Sequence, residues 1–405
     1  MNRIVSLATA WVFVVGTWAA LPAMTYAEAK PAALAPVPEK KALEWSESLV
    51  KAIDSGEGAA ELIDWKALMV RCARGVGASP EEIDEFRMGI EQAAATPQGL
   101  LGMIANEVKN GGGFKYIRTF KDAEGTRVKF RLLPAAGGIT FHDFLLKDEK
   151  GLVQAIDIRI ASTGEDFSQS MRRFFVPSVA QKNKGILQKL AGKESALLKS
   201  LGQLEEMTNA IQANEPQKVA AIAAKLPKEV RNEKFCMLIE LKAAQMAGDD
   251  KAHQEVIERF RGLFPNDSAV DLLSMDYFAI KENFKEALAC AQRFQKAMGE
   301  EAFMTTLIAD LQWQNGQVKE ARATIEKAIK MEPDFVSARW TKVTIADAQQ
   351  DYATLNKTLK ELVTDFGAEL DPEAMKKEAF YEEFNKTPEF KDLEKFLKAQ
   401  KAQKK

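Results

Sequence analysis

Four turn-like stretches recur at a constant interval along the second half of the chain: GDDKAHQEV at 248, ENFKEALAC at 282, GQVKEARAT at 316 and QDYATLNKT at 350, each 34 residues after the last. Self-similarity at such a period predicts stacked copies of one small unit, because a single copy cannot bury its own apolar face. The clearest copy spans 302–335, with Gly316 at its turn, Ala321 and Ala328 flanking Ile325, and Pro333 near its end. Two alanines seven residues apart lie almost two helical turns apart and face the same way. Their small size lets a partner helix approach closely, and Ile325 fills the space between. Pro333 stops the helix, since it has no N–H and clashes with the preceding turn.

The copy at 268–301 keeps Met275, Phe278, Phe284, Ala287 and Ala291, whereas 234–267 and 336–369 are looser. His253 and Leu355 stand where the better copies have alanine, and Gly367 where a proline would close the last unit. The pattern resembles the tetratricopeptide repeat, a helix-turn-helix unit of this length. That resemblance implies an all-α TPR-like solenoid of four repeats over 234–369. Residues 181–233 read as a connecting helix and a degenerate opening repeat. Residues 370–405 read as capping helices, because Asp371-Pro372 and Thr387-Pro388 are helix starts followed by the apolar positions Phe380, Phe384, Phe390, Leu393, Phe396 and Leu397.

Residues 41–180 lack this period. Helices are expected near 43–54 and 59–74, and Ser79-Pro80-Glu81-Glu82 is a capping box opening a third that runs to about Lys109. The pattern then alternates: Val128, Phe130 and Leu132 against Lys129 and Arg131, and Ile156, Ile158 and Ile160 against Asp157 and Arg159. With FKYIRTF before and ITFHDFLLKD between, these segments predict a four-stranded antiparallel meander with one wet face, packed on the preceding helices. A second capping box at Ser162-Thr163-Gly164-Glu165 is expected to start the next helix. The whole is an α+β N-terminal domain followed by the helical array. In element order alone this domain resembles NTF2-like or cystatin-like folds, which implies room for a pocket between sheet and helices without locating one.

The first 27 residues join Arg3, an apolar run from Ile4 to about Leu21, and small residues at Thr25 and Ala27, the pattern of a removable secretory signal. Residues 28–40 form an Ala/Pro/Lys linker with nothing to pack. The chain is therefore expected to be exported, periplasmic or secreted, with membrane contact only if the signal is retained. Cys72, Cys236 and Cys290 are too few and too scattered for a disulfide framework and read as small core residues. Lys plus Arg (56) against Asp plus Glu (58) leaves no basic field for nucleic acid. The lysines of the tail, 395, 398, 401, 404 and 405, read as a solvated helix end.

Chemistry-bearing motifs are sparse. No nucleophile elbow, phosphate loop, paired-histidine metal motif or CxxC occurs, so neither a metal nor another cofactor is expected and the chain reads as non-catalytic. Of the two histidines, His253 falls at a helix-packing position and His142 in a strand beside Asp143, on opposite faces. A pocket around His142 would need Tyr116, Arg118 or Arg131 from neighbouring strands. The TPR resemblance points elsewhere, to a concave surface lined by the first helix of each repeat, where peptide partners bind. Carried over by position, that surface comprises Phe235, Leu238, Lys242 and Met246; then Asp276 and Ile280; then Phe303, Asp310 and Trp313; then Trp340 and Asp347. It lacks the lysine/asparagine clamp with which some relatives hold a carboxylate. The expected function is an exported scaffold that binds a protein or peptide partner with apolar anchors and cationic groups. The alternative is a small-molecule-binding or enzymatic N-terminal domain, around Tyr116, Arg131 and His142, with the repeats recruiting partners.

Overall fold

The computed structural model describes residues 33–403 apart from 95, 97, 98, 136 and 183–192. The expected signal, part of the linker and part of the connecting segment lie outside the described residues. Those described fall into two compact units that divide between Val270 and Asp271, inside the helix Ser268–Ile280.

The first unit opens with α1 (Glu39–Ser55), α2 (Trp65–Ala73), α3 (Pro80–Ala94) and α4 (Leu100–Lys109). Its antiparallel sheet runs in chain order: β1 (Gly113–Lys121), β2 (Thr126–Leu133), β3 (Thr140–Glu149), β4 (Leu152–Ile160) and β5 (Glu165–Asp166). Then follows α5 (Phe167–Lys182). Trp45 of α1 lies against Phe130 and Phe144, ring centroids 6.3 and 5.3 Å away, so the helices cover the face that carries Val128, Phe130, Phe144 and Ile158. This core extends into the helices Lys193–Gln212, Pro216–Ala223 and Lys234–Ala247 through Leu204, Val219 and Cys236.

Several local expectations change. The capping box at Ser79 forms in both directions, Ser79 N–H to Glu82 Oε2 at 2.8 Å and Glu82 N–H to Ser79 Oγ at 3.2 Å. Its helix ends at Ala94 instead of Lys109, because the chain turns back at Gly99, where a Cβ would sit 2.4 Å from the Ala93 carbonyl oxygen. At the second proposed box, Glu165 is in a fifth strand paired with Ile160, and the helix starts at Phe167. The box shifts to Asp166 and Gln169, with Asp166 N–H donating to Gln169 Oε1 at 3.2 Å. The end of the linker also packs: Leu34 N–H bonds to the Glu124 carbonyl, and Val37, 3% exposed, donates its N–H to Thr126 Oγ1.

The C-terminal run of helices packs in consecutive pairs. First helices begin at Lys234, Ser268, Ala302 and Val336, and second helices at Asp250, Phe284, Val318 and Tyr352, so both series advance by the 34-residue period of the sequence. Ala321, Ile325 and Ala328 are fully buried, as are Ala287 and Ala291 in the preceding copy. The turn between helices always uses one left-handed residue, Gly248, Glu282, Gly316 or Gln350, with φ of 63, 55, 76 and 55°. The residue that follows caps the second helix: Asp249, Asn283 and Asp351 accept an N–H from the first turn, and Gln317 does not. At the end of the chain, Met375, Tyr381, Phe384, Phe390, Leu393 and Leu397 close over Val343, Leu355 and Leu359 of the last pair. The stretch 372–386 is broken into short turns rather than one helix, with the last helix at Pro388–Gln403.

Candidate functional site

The first helices Ala302–Gln314 and Val336–Ala348 pack directly on one another. The positions expected to line a concave surface are the less buried ones on these helices. Trp340 is 37% exposed, while Phe303 and Trp313 are half-buried, with Phe303 tilted against Phe335 at 6.1 Å. A tryptophan left this open is a surface that burial has not used.

Carboxylates share this row. Asp276 has a buried Oδ1 that accepts no hydrogen bond, and burial pushes its carboxyl up to about 7. One repeat later Asp310 accepts from Gln314 Nε2 at 2.7 Å, and burial raises its carboxyl as well. Asp347 is half-buried and raised for the same reason. A desolvated carboxylate gains most from an incoming cation, because the ion pair returns interaction that burial removed. Ile280, at the same edge of its helix, is 54% exposed.

The first repeat differs. Phe235, expected on the surface, is 4% exposed and lies in the core under the Arg173 guanidinium, 6.0 Å from its ring centroid. Leu238, Lys242 and Met246 are half-buried, and burial lowers the Lys242 ammonium.

The strand register separates the other candidate trio. Tyr116 pairs with Phe130, Phe130 with His142 and His142 with Ile160, so Tyr116 and His142 share the apolar face. Arg131 is the next residue after Phe130 and points to the opposite face, where its partners are Lys115 and Phe141. The three therefore do not converge. Tyr116 bonds Thr119 Oγ1 at 3.1 Å. His142 is fully buried near Phe114, neither ring nitrogen has a partner among the described residues, and burial pushes it down to about 4, so it stays neutral. His253 is half-buried and its imidazole is likewise lowered by burial.

The charged face of the sheet was expected to be wet and is instead buried at Arg127, Lys129, Arg131, Asp143 and Asp157. Pairing explains how those charges are tolerated. Lys129 Nζ reaches both oxygens of Asp143, at 2.6 and 2.8 Å, and sits 5.4 and 5.5 Å from the Phe120 and Phe141 ring centroids. Arg71 of α2 donates to Asp157 at 2.6 Å and to Glu124 at 3.0 Å, and Arg127 donates to Asp122 at 2.6 Å and to Glu124 at 2.8 Å. Asp157 also accepts from the N–H and hydroxyl of Ser168, at 3.0 and 2.5 Å, which ties β4 to the first turn of α5. Burial and the charge of Asp166 both raise the Asp157 carboxyl. Alternation in the sequence shows these side chains on one face but carries no signal of what they pair with.

All three cysteines are buried thiols outside any disulfide, and burial raises the Cys72 and Cys236 thiols. Among the described residues no cluster of metal-ligating side chains occurs and no helix is long and apolar enough to cross a membrane. No known protein family matches the chain, and neither a curated protein nor a solved structure does.

Proposed function

We propose that this protein is an exported, non-catalytic scaffold whose helix pairs are TPR-like repeats that hold an extended segment of a partner protein. The observation that carries the reading is the row of Trp313 and Trp340 on adjoining first helices, open enough to anchor apolar side chains, beside the desolvated carboxylates of Asp310 and Asp347. Aromatic anchors supply most of the free energy in interfaces of this kind. The carboxylates select lysine or arginine on the partner and repel acidic segments.

The export half of the reading rests on residues 1–27 and is tested by the N-terminal sequence of the protein recovered from cells, which is expected to begin after Ala27. The scaffold half is tested with Trp313→Ala/Trp340→Ala. Affinity purification of the chain, with mass spectrometry of co-eluting proteins, is expected to recover a partner that the double variant loses. Its unfolding midpoint should fall only slightly, because both side chains are partly solvated. Retention of the same partners by the double variant rejects the surface as the binding site.

A further inference from the structure

A second candidate site lies in the sheet-bearing unit. α3 and α5 each pack on α2, and between them opens a cleft of about 340 Å³. That volume is at the small end of the range for ligand pockets, roughly 300–1,000 Å³. Its floor is the buried Ile90, Met171 and Val179, and its walls are the half-buried rings of Phe86 and Phe174. At its mouth stand Glu82 and Glu85, and none of the described residues lining it is cationic.

Gly89 lines this cleft. It sits in the interior of α3, where glycine is the least favourable residue after proline. A Cβ there would meet nothing within 4 Å, so neither packing nor a left-handed backbone demands glycine. Gly89 borders the cleft one helical turn from Phe86 and beside Ile90, with room for a side chain to be added there. The glutamates also lie within the first turns of α3, on the side that faces α5, while Arg87 points away to Asp84 and Glu91.

We infer that the α3–α5 cleft binds a small aromatic or aliphatic amine, its apolar body between Phe86 and Phe174 and its ammonium group at Glu82 and Glu85. The proposal is independent of the partner-binding row on the repeats.

The test uses the full chain with 1-naphthylmethylamine, and with 1-naphthoate as a probe of the same ring and opposite charge. Titration calorimetry is combined with NMR of the ¹³C-labelled Met171 methyl group. The amine is expected to bind and shift the Met171 signal, roughly fivefold more tightly than naphthoate, the scale of two solvated ion pairs. Gly89→Leu fills the cleft and is expected to weaken the amine by about tenfold or more, while leaving the unfolding midpoint equal or higher. Gly89→Ala, the milder variant, should weaken it about two- to threefold and serves if the leucine variant does not fold. Glu85→Gln should bring the amine and naphthoate affinities closer together. Equal binding of the two probes, no binding of the amine at millimolar concentration, or unchanged affinity in both Gly89 variants overturns the proposal.

Discussion

The two halves of this molecule solve burial in different ways. In the repeats, a few positions recur: a left-handed residue at 248, 282, 316 and 350, a side-chain cap after three of the four, and small buried residues such as Ala287 and Ala321 facing the neighbouring helix. In the sheet-bearing unit, stability hangs on single contacts between distant residues, as when Arg71 meets Asp157 across 86 positions of sequence. A defect in the first region is local and repeated elsewhere in intact form. A defect in the second unbalances a buried charge network whose members each occur once.

That contrast is broken or sharpened by mutation, and the largest expected effect is at Asp157. Asp157→Ala leaves the Arg71 guanidinium with Glu124 as its remaining hydrogen-bond acceptor and removes both acceptors of Ser168, so urea unfolding should show a loss of about 3 kcal/mol. A loss comparable to that of a helix cap, about 1 kcal/mol, would mean the network is solvated and the contrast false.

Next comes the pH dependence of His142. Its folded-state pKa, pushed down to about 4, lies below the unfolded value of 6.5, so the neutral side chain contributes stability that is complete above pH 6.5. As pH falls from 6.5 through 4 that contribution is lost, up to about 3 kcal/mol. His142→Phe should flatten this part of the stability profile and, by removing two unpartnered buried nitrogens, leave the protein no less stable at pH 5. A variant with the same pH slope as the parent would assign the dependence to other groups.

Within the repeats the effects are smaller. Ala321→Leu forces a bulky side chain into a fully buried helix contact and should cost about 1–3 kcal/mol, read from the denaturation midpoint. Gln350→Gly and Glu282→Gly relieve left-handed backbone at residues with a Cβ and should each stabilise by about 1 kcal/mol. Equal effects at both positions would show that the repeats obey one rule, and opposite signs would show that each turn is set by its surroundings.

The same contrast governs what the sequence discloses. Helix starts in the repeats fall on the 34-residue grid because turn, cap and packing position all lie within one unit, so local chemistry and period agree. Strand alternation was equally visible, and it sorted Phe130 from Arg131 correctly. It did not show that Lys129 finds Asp143 or that Asp157 caps α5, since those pairings depend on register and on a helix that follows later. A two-residue strand such as Glu165–Asp166 has no alternation to detect, and Glu165 also fits a capping pattern, so propensity alone misplaces it. The trio expected around His142 is divided for a related reason: residue type suggested Arg131, but parity places it across the sheet. The inter-helix cleft had no distinguishing trace in the sequence, since Gly202 sits inside a helix just as Gly89 does.

The constant stride of the helix starts also makes the array extensible. A duplicate of residues 302–335 spliced in after residue 335 would keep every turn, cap and alanine contact in phase, because it begins and ends where a unit does. Each added copy carries its own Phe303, Asp310 and Trp313, so copy number sets the length of the row on which the proposed partner segment would lie.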